Sequence, residues 1–548
     1  MNKRSLVLYC IIALIILTIY GPFVLKGGFG PSDDLAHAYN SNSGFASKLS
    51  SSIISKSSAS RPLYAVFHRI NLFLFGDSPR PYIILQISIW LASVALLSRI
   101  VKLMLGRISA LLFFLFGAMP IFSSAVIFSP YMVGNTFAIF FWALSLIFIH
   151  NFAVRGGRSN FWLSHLFLAM GLLSMEIILP LLLFNAQLPW IVKKHSNIQE
   201  CSNMMQVRYR YFLPVIGMAI LFFIFKVFIT KMYSGNTGTY GLSVNTKSIL
   251  QSMYYFIVLV FEIPSMLFET IPFLLNPRIV FVFALISIFF IYLIMFKSCD
   301  WISHYSSEEK RRALCFLNLV ILGIICCSMI FFLSGYPAVT FGHYNKMMMP
   351  THFLGAILLS WYFRKMLNNK WIISAIFFST LWCASMIIQI DKFIDSWEIR
   401  KTVLSDCTEK LNNVELGKEP YLIASVPYFI KNNYNNEHVF WLSWDFSSGL
   451  KLFGSEKLSS AFPFCWQTLI NPDYYVNHNI NHHITKLPEN VNLWYYKFDL
   501  EKSISTLRRI DNCADLEREF QRIVTNKVNY HPIIFRQRIR MKLKEWII

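Results

Sequence analysis

Long apolar runs, each closed by a few Lys or Arg residues, repeat along the first 390 positions, and none alternates as a strand would. Runs of about 20 such residues match a helix crossing a ~30 Å hydrocarbon layer. The first, 5–25, follows Lys3 and Arg4 and has no small-residue cleavage site after its apolar core. It reads as a retained anchor with a cytoplasmic N-terminus. Basic clusters follow at Arg99/Lys102/Arg107, Arg155/Arg158, Lys193/Lys194/Arg208/Arg210, Lys297/Lys310/Arg311/Arg312 and Arg364/Lys365/Lys370. Spans predicted near 82–104, 108–128, 131–151, 313–334, 351–366 and 371–390 keep these clusters on the cytoplasmic side.

Two stretches need arbitration. A single helix over 161–193 would be roughly 50 Å long, too long for one crossing, and would put its flanking basic loops on opposite sides. Two short helices folding back near Ser174-Met175-Glu176 resolve this and place Glu176 at the outer turn. Residues 251–275 carry Glu262, Pro264, Glu269 and Pro272 inside an apolar run. Read as a re-entrant or interfacial hairpin on the outer side, they give about 11 spans and an outer C-terminus. Read as an ordinary span, they give 12 and a cytoplasmic tail. Eleven is the preferred count.

From Asp391 onward charges become frequent and nearly balanced, Asn is abundant, and no run is long enough to span. The fold class predicted is therefore an all-α polytopic membrane domain, 1–390, followed by a small α+β soluble domain, 391–548. Strands are predicted at Tyr421–Ile430, His438–Asp445 and Asn492–Leu500, and an amphipathic helix at Leu507–Val524. The basic end from Arg536 to Lys544 suits either an anionic lipid surface or a solvated helix.

Composition narrows the chemistry. The chain is 55% hydrophobic with 50 Lys+Arg against 29 Asp+Glu, a net charge of +21. The basic residues lie between apolar runs, so a nucleic-acid partner is not expected. Most of the ten Cys sit in or near spans; Cys407, Cys465 and Cys513 leave room for one tail disulfide plus an odd thiol, and no zinc pattern occurs. There is no phosphate-binding Gly-rich loop, HExxH motif, nucleophile elbow or internal repeat. No organic cofactor is expected.

Acids being scarce, the adjacent Asp33-Asp34 in Gly30-Pro31-Ser32-Asp33-Asp34-Leu35-Ala36-His37 stands out. It opens a long loop, 26–81, that continues through a Ser-rich stretch (Ala46–Ser60) to Arg61-Pro62-Leu63-Tyr64 and His68-Arg69. One carboxylate can take the proton of a sugar hydroxyl; a second can orient the acceptor or hold a divalent cation such as Mg or Mn. Arg61 and Arg69 can pair with a phosphate. A helix N-cap explains Ser32 or Asp33 without catalysis but leaves Asp34 over, which favours Asp34 slightly as the base.

An anchor span, an outer acidic pair and an Arg-Pro-Leu stretch leading past Phe75-Gly76 into the next span resemble the GT-C glycosyltransferases. Leu172-Leu173-Ser174-Met175-Glu176-Ile177-Ile178-Leu179-Pro180 is similar to the Leu-Ser-Lys-Glu…Pro segment of the protein-mannosyltransferase-like branch, with Met175 in place of Lys. His343-Tyr344-Asn345-Lys346 before Pro350 sits where that branch often carries an Arg. Size, layout and Asn/Lys/Ile-rich composition look closest to bacterial O-antigen-modifying glucosyltransferases. The resemblance covers roughly 5–390. It implies a polyprenyl-phosphate-linked sugar donor, a glycan or glycolipid acceptor, a bacterial inner (plasma) membrane location and a periplasmic tail. It also implies Asp33 or Asp34 as base or tentative metal ligand, and Arg61, Arg69 or Lys346 on the donor phosphate. Glu176, His37, His343 and Tyr344 fall to the sugar.

Weaker candidates are Lys226, expected to snorkel to the interface, and Glu262 with Glu269, seven residues apart on one helical face. His478, His482 and His483 lack an acid or Cys to complete a metal site. Two rival classes stand beside the transferase: a polysaccharide polymerase or ligase, which usually places its large loop late in the chain, and a secondary transporter, which usually shows repeats and mid-membrane charges.

Overall fold

The computed structural model describes residues 3–30, 34–35, 61–129, 132–194, 204–233, 246–295, 307–334, 338, 340, 343–367, 371–417, 420–426, 443–455, 458, 460–463, 492–499 and 502–510. In chain order the helices begin with α1 (Lys3–Lys26), α2 (Pro62–Phe75), α3 (Pro79–Leu105), α4 (Arg107–Gly117), α5 (Ala125–Phe128), α6 (Val133–Arg155), α7 (Arg158–Ser174) and α8 (Leu182–Lys194). They continue with α9 (Met204–Tyr233), α10 (Thr246–Ile257), α11 (Ile263–Phe268), α12 (Pro277–Met295), α13 (Ser307–Ser334), α14 (Met349–Met366) and α15 (Ile372–Asn412). The tail adds β1 (Tyr421–Ser425), α16 (Ser443–Leu452), β2 (Ser460–Pro463), β3 (Leu493–Asp499) and β4 (Ile504–Ile510). Among the described residues, nine helical stretches are long and apolar enough to cross a membrane, so the chain is a polytopic helical membrane protein.

Side-chain contacts sort the helix ends into two groups. At the basic end, the Arg364 guanidinium of α14 donates to the Leu105 carbonyl that closes α3. Gly156 and Gly157, both at positive φ (73° and 89°), reverse the chain there between α6 and α7, a conformation glycine adopts without strain. At the opposite end, where α1 finishes, Arg278 at the start of α12 donates to the Thr18 carbonyl of α1 at 3.3 Å and pairs with Asp391 of α15. α15 thus runs parallel to α1 and emerges beside the first loop.

The 251–275 stretch is one helical run rather than a hairpin. α10 passes into α11 through a π turn, Val258–Glu262, and Pro264 follows directly after it. Ser252 donates to Ser328 O at 3.0 Å and Tyr255 to Ile324 O at 3.1 Å, while Gln389 reaches Met266 Sδ at 4.0 Å. The run therefore slants from α13 to α15.

The predicted span 108–128 is broken. Helix α4 stops at Gly117, Pro120 follows, and only α5 is helical before Ser129. Nearly every residue in this stretch is buried, so lipid never meets its irregular backbone, the condition under which such a break is tolerated. Side chains from surrounding helices cap the exposed carbonyls. Trp382 Nε1 donates to Phe116 O at 3.1 Å, Trp90 Nε1 to Gly117 O at 3.0 Å and Tyr20 Oη to Ala118 O at 2.6 Å. Gln389 Nε2 donates to Ile121 O at 2.7 Å and Gln86 Nε2 to Ser129 O at 2.6 Å.

The composition change at Asp391 is not a structural boundary, because α15 continues unbroken to Asn412. Its last turns bury Val403, Leu404, Cys407 and Leu411 in one core with Leu422 and Ala424 of β1, Phe446 and Leu450 of α16, and Tyr496 of β3. Phe29, Leu35, Leu72 and Tyr82, from the first loop and its flanks, belong to the same core. The sheet order is β2-β1-β3-β4, with β1 parallel to both neighbours and β3–β4 antiparallel. Two tail expectations are corrected. Ser443–Asp445, predicted as the end of a strand, opens α16, and Leu507–Ile510, predicted helical, lies in β4. The side chains of β4 alternate in burial and pair register-perfect with β3, so a partner strand outweighs local helical pattern. Tyr496 Oη donates to Asp406 Oδ2 at 2.7 Å; burial and that carboxylate push the phenol pKa up. Ala46–Ser60, Cys465, Cys513, His478, His482, His483 and the basic end 536–544 lie outside the described residues.

Tyr20→Phe keeps the ring packing but strands the Ala118 carbonyl, and Gln389→Leu strands that of Ile121. Each should lower stability by about 1–3 kcal/mol. Thermal unfolding of the detergent-solubilised protein checks this; unchanged melting in both variants would contradict the capping role.

Candidate active site

The chain leaves α1 through residues held from three directions. Gly28 lies against the Trp397 ring, where an added Cβ would come within 2.1 Å of the indole. Phe29 meets Tyr82 and Trp397 edge-on, at ring-centre distances of 6.3 and 5.9 Å. Arg400 of α15, fully buried, donates from Nη1 to Gly30 O and from Nη2 to Phe29 O.

Asp34 closes this turn. One carboxylate oxygen accepts from the Gly30 amide, and the other accepts from Ser129 Oγ at 2.7 Å. Its side chain turns back toward Gly30. The acid is only 2% exposed. Asp33 and His37 lie outside the described residues.

A second charged group forms where the folded-back helices meet. Arg61, just before the Pro62 that opens α2, faces Glu176, first residue of the 3-10 turn Glu176–Leu181 between α7 and α8. Arg61 Nε donates to Glu176 Oε2 at 2.8 Å and Nη2 donates to Oε1, a fork-on-carboxylate pair. Lys226 of α9 reaches the same Oε2 at 3.3 Å. The three side chains are 15%, 19% and 14% exposed, so they are largely shielded from water and carry a net charge of about +1. Lys226 is therefore an ion-pair partner and not a snorkelling lysine. Sequence reasoning missed this pairing; the available signal was a single acid and a single base, each alone in an apolar run near the same end of the bundle.

Lys346 is buried in the 3-10 turn His343–Met348, whose backbone also carries His343 and Tyr344; the side chains of those two lie outside the description. Neighbouring Asn345 pins the turn to the broken helix: its Oδ1 accepts from Ala125 N at 2.9 Å and its Nδ2 donates to Ser124 Oγ at 3.1 Å. Arg69, eight residues along α2 from Arg61, is displaced from it by about 12 Å along the axis. The structure thus joins Arg61 with Glu176 and Lys226, while Asp34 is held by Gly30 and Ser129. Glu262 is buried and accepts from Tyr254 Oη at 2.8 Å and Thr340 Oγ1 at 3.1 Å.

The donor set for a divalent cation is incomplete among the described residues. No cluster of three metal-ligating side chains occurs there, and both Asp34 oxygens already accept hydrogen bonds. Comparison with known proteins returned no matching family model, no matching curated protein and no matching solved structure.

Gly30→Ala should be disruptive beyond its size, because the new Cβ would lie 2.4 Å from the Asp34 carboxylate and 3.2 Å from Ser129 Cβ. Steric relief requires Asp34 to leave the Gly30 amide. The expected outcome is a melting temperature lower by several degrees, consistent with a loss of about 1–3 kcal/mol; an unchanged value would show that the turn is not so tightly closed.

Proposed function

We propose that this chain is a membrane glycosyltransferase that moves a sugar, such as glucose, from a polyprenyl-phosphate carrier to a glycan acceptor such as O-antigen. The observation that carries the reading is the convergence at one end of the bundle. The acidic turn and the Arg61–Glu176–Lys226 group lie at the same end, and α9, which carries Lys226 and exposes its apolar residues Leu221, Ile224 and Phe228, offers a lipid-facing side beside that group.

In this reading the chain crosses the bacterial inner membrane eleven times. The slanted 246–273 run lies across the outer ends of α13 and α15 without crossing, and the tail shares the periplasmic side with the first loop. The odd count is supported by α15 running parallel to α1 and by the common core of tail and loop.

A lipid-linked donor approaches sideways and presents its phosphate to Arg61 and Lys226, with Arg69 and Lys346 as further cations at that end. The acceptor hydroxyl oxygen attacks the anomeric carbon as the bond from that carbon to the phosphate oxygen breaks, inverting the centre. The hydroxyl proton passes to a carboxylate, and polyprenyl phosphate leaves as an anion stabilised by the cations. Both Asp34 oxygens already accept hydrogen bonds, from the Gly30 amide and from Ser129 Oγ, so the base role falls to its chain neighbour Asp33.

Asp33→Asn should abolish decoration of the surface glycan, read by mass spectrometry of lipopolysaccharide from a strain carrying the variant. Asp34→Asn should reduce it with a lowered protein melting point. Full decoration in both variants would sink the transferase reading. A second outcome concerns charge. Glu176→Gln leaves two shielded cations without their counter-charge, an arrangement that costs about 3–5 kcal/mol when one partner of a buried pair is lost. Undecaprenyl phosphate should repair that loss, so its stabilising shift in melting temperature should be larger in Glu176→Gln than in wild type. An equal or smaller shift would count against a phosphate site here.

A further inference from the structure

Arg400 is a buried cation that the transfer scheme does not use. It is fully buried in α15, well past the composition change that marks the tail. Burying a guanidinium is costly, and an apolar residue of similar volume would fill such a space more cheaply. What an apolar residue cannot do is bind two successive carbonyls at once. The Arg400 fork does so, through Nη1 on Gly30 O and Nη2 on Phe29 O.

The surroundings show why that geometry is stiff. Trp397, one turn earlier on the same helix, lies against Gly28, and the Arg400 guanidinium carbon stands 5.2 Å from its ring centre. Two side chains of α15 therefore hold three consecutive residues, 28 to 30. Gly30 is engaged from both sides, with its carbonyl on Arg400 and its amide on the Asp34 carboxylate. A shift of Arg400 passes through one residue to Asp34.

We infer that Arg400 is a positioning residue: its planar fork sets the backbone of Phe29 and Gly30, and through the Gly30 amide the placement of Asp34. The tail helix thereby orients the first loop. The kinetic consequence rests on the glycosyl-transfer reading above; the structural one does not.

Two measurements on the full-length protein in lipid nanodiscs test this with Arg400→Met and Arg400→Lys. Hydrogen exchange of peptides spanning 27–35 should rise at least tenfold in Arg400→Met, while exchange in α6 stays at the wild-type rate. Turnover of undecaprenyl-phosphate-glucose onto O-antigen lipopolysaccharide, per folded molecule, should fall about 100-fold, the cost of roughly 1 Å of misplacement, with the donor KM within about twofold of wild type. Arg400→Lys keeps the charge but not the fork and should recover about tenfold of the lost turnover. Should Arg400→Met fail to fold, Arg400→Gln, which keeps a planar amide donor, carries the same comparison.

Unchanged exchange over 27–35 overturns the clamp. Raised exchange with unaltered turnover overturns the positioning role, as does a turnover loss carried wholly by a weaker KM. Absence of transfer by the wild-type protein counts against the transfer reading alone, and the exchange comparison then decides the clamp.

Discussion

A polypeptide inside a membrane cannot leave its backbone polar groups without partners, and the break after α4 is where this chain meets that constraint most severely. The run from Gly117 to Ser129 gives up helical hydrogen bonds in the middle of the bundle. Tyr20, Gln86, Trp90, Trp382 and Gln389 replace them, drawing α1, α3 and α15 onto one short segment. Much of the site depends on the result. Ser129, at the end of the break, presents its hydroxyl to Asp34, and Ala125 and Ser124 receive Asn345 and so fix the turn that carries Lys346. A continuous helix would tie up the Ala125 amide that Asn345 receives here.

The same residues link the two parts of the chain. Asp34 closes on Gly30, Gly30 is held by Arg400, and Arg400 belongs to a helix that is a membrane span at one end and the spine of the tail at the other. Tail and loop share a hydrophobic core. The tail is therefore a continuation of the bundle packed against the start and end of the first loop, and not an appended module.

Some of this was legible in the sequence. Helix length against bilayer thickness placed the fold-back at Ser174–Glu176, since no single helix of that size fits one crossing. Scarcity of acids pointed to Asp34 and Glu176. Hydropathy could not show the break at Gly117, because a buried broken helix is as apolar as an intact one. Nor could it show Lys226 meeting Glu176, a contact between residues 50 positions apart. In the tail, the 507–510 segment reads as helical in isolation and becomes a strand because β3 supplies an edge. Arg400 gave no signal, as its role lies in two backbone carbonyls some 370 residues away.

The central claim is that the loop end of the bundle receives a phosphate-linked sugar beside the acidic turn. The most direct test is a density map of the full-length protein in nanodiscs with undecaprenyl-phosphate-glucose bound. The account predicts phosphate density within hydrogen-bond reach of Arg61 or Lys226, with the sugar toward the acid pair. Lipid-phosphate density at the basic end near Arg364, or none at the loop end under saturating donor, would contradict it.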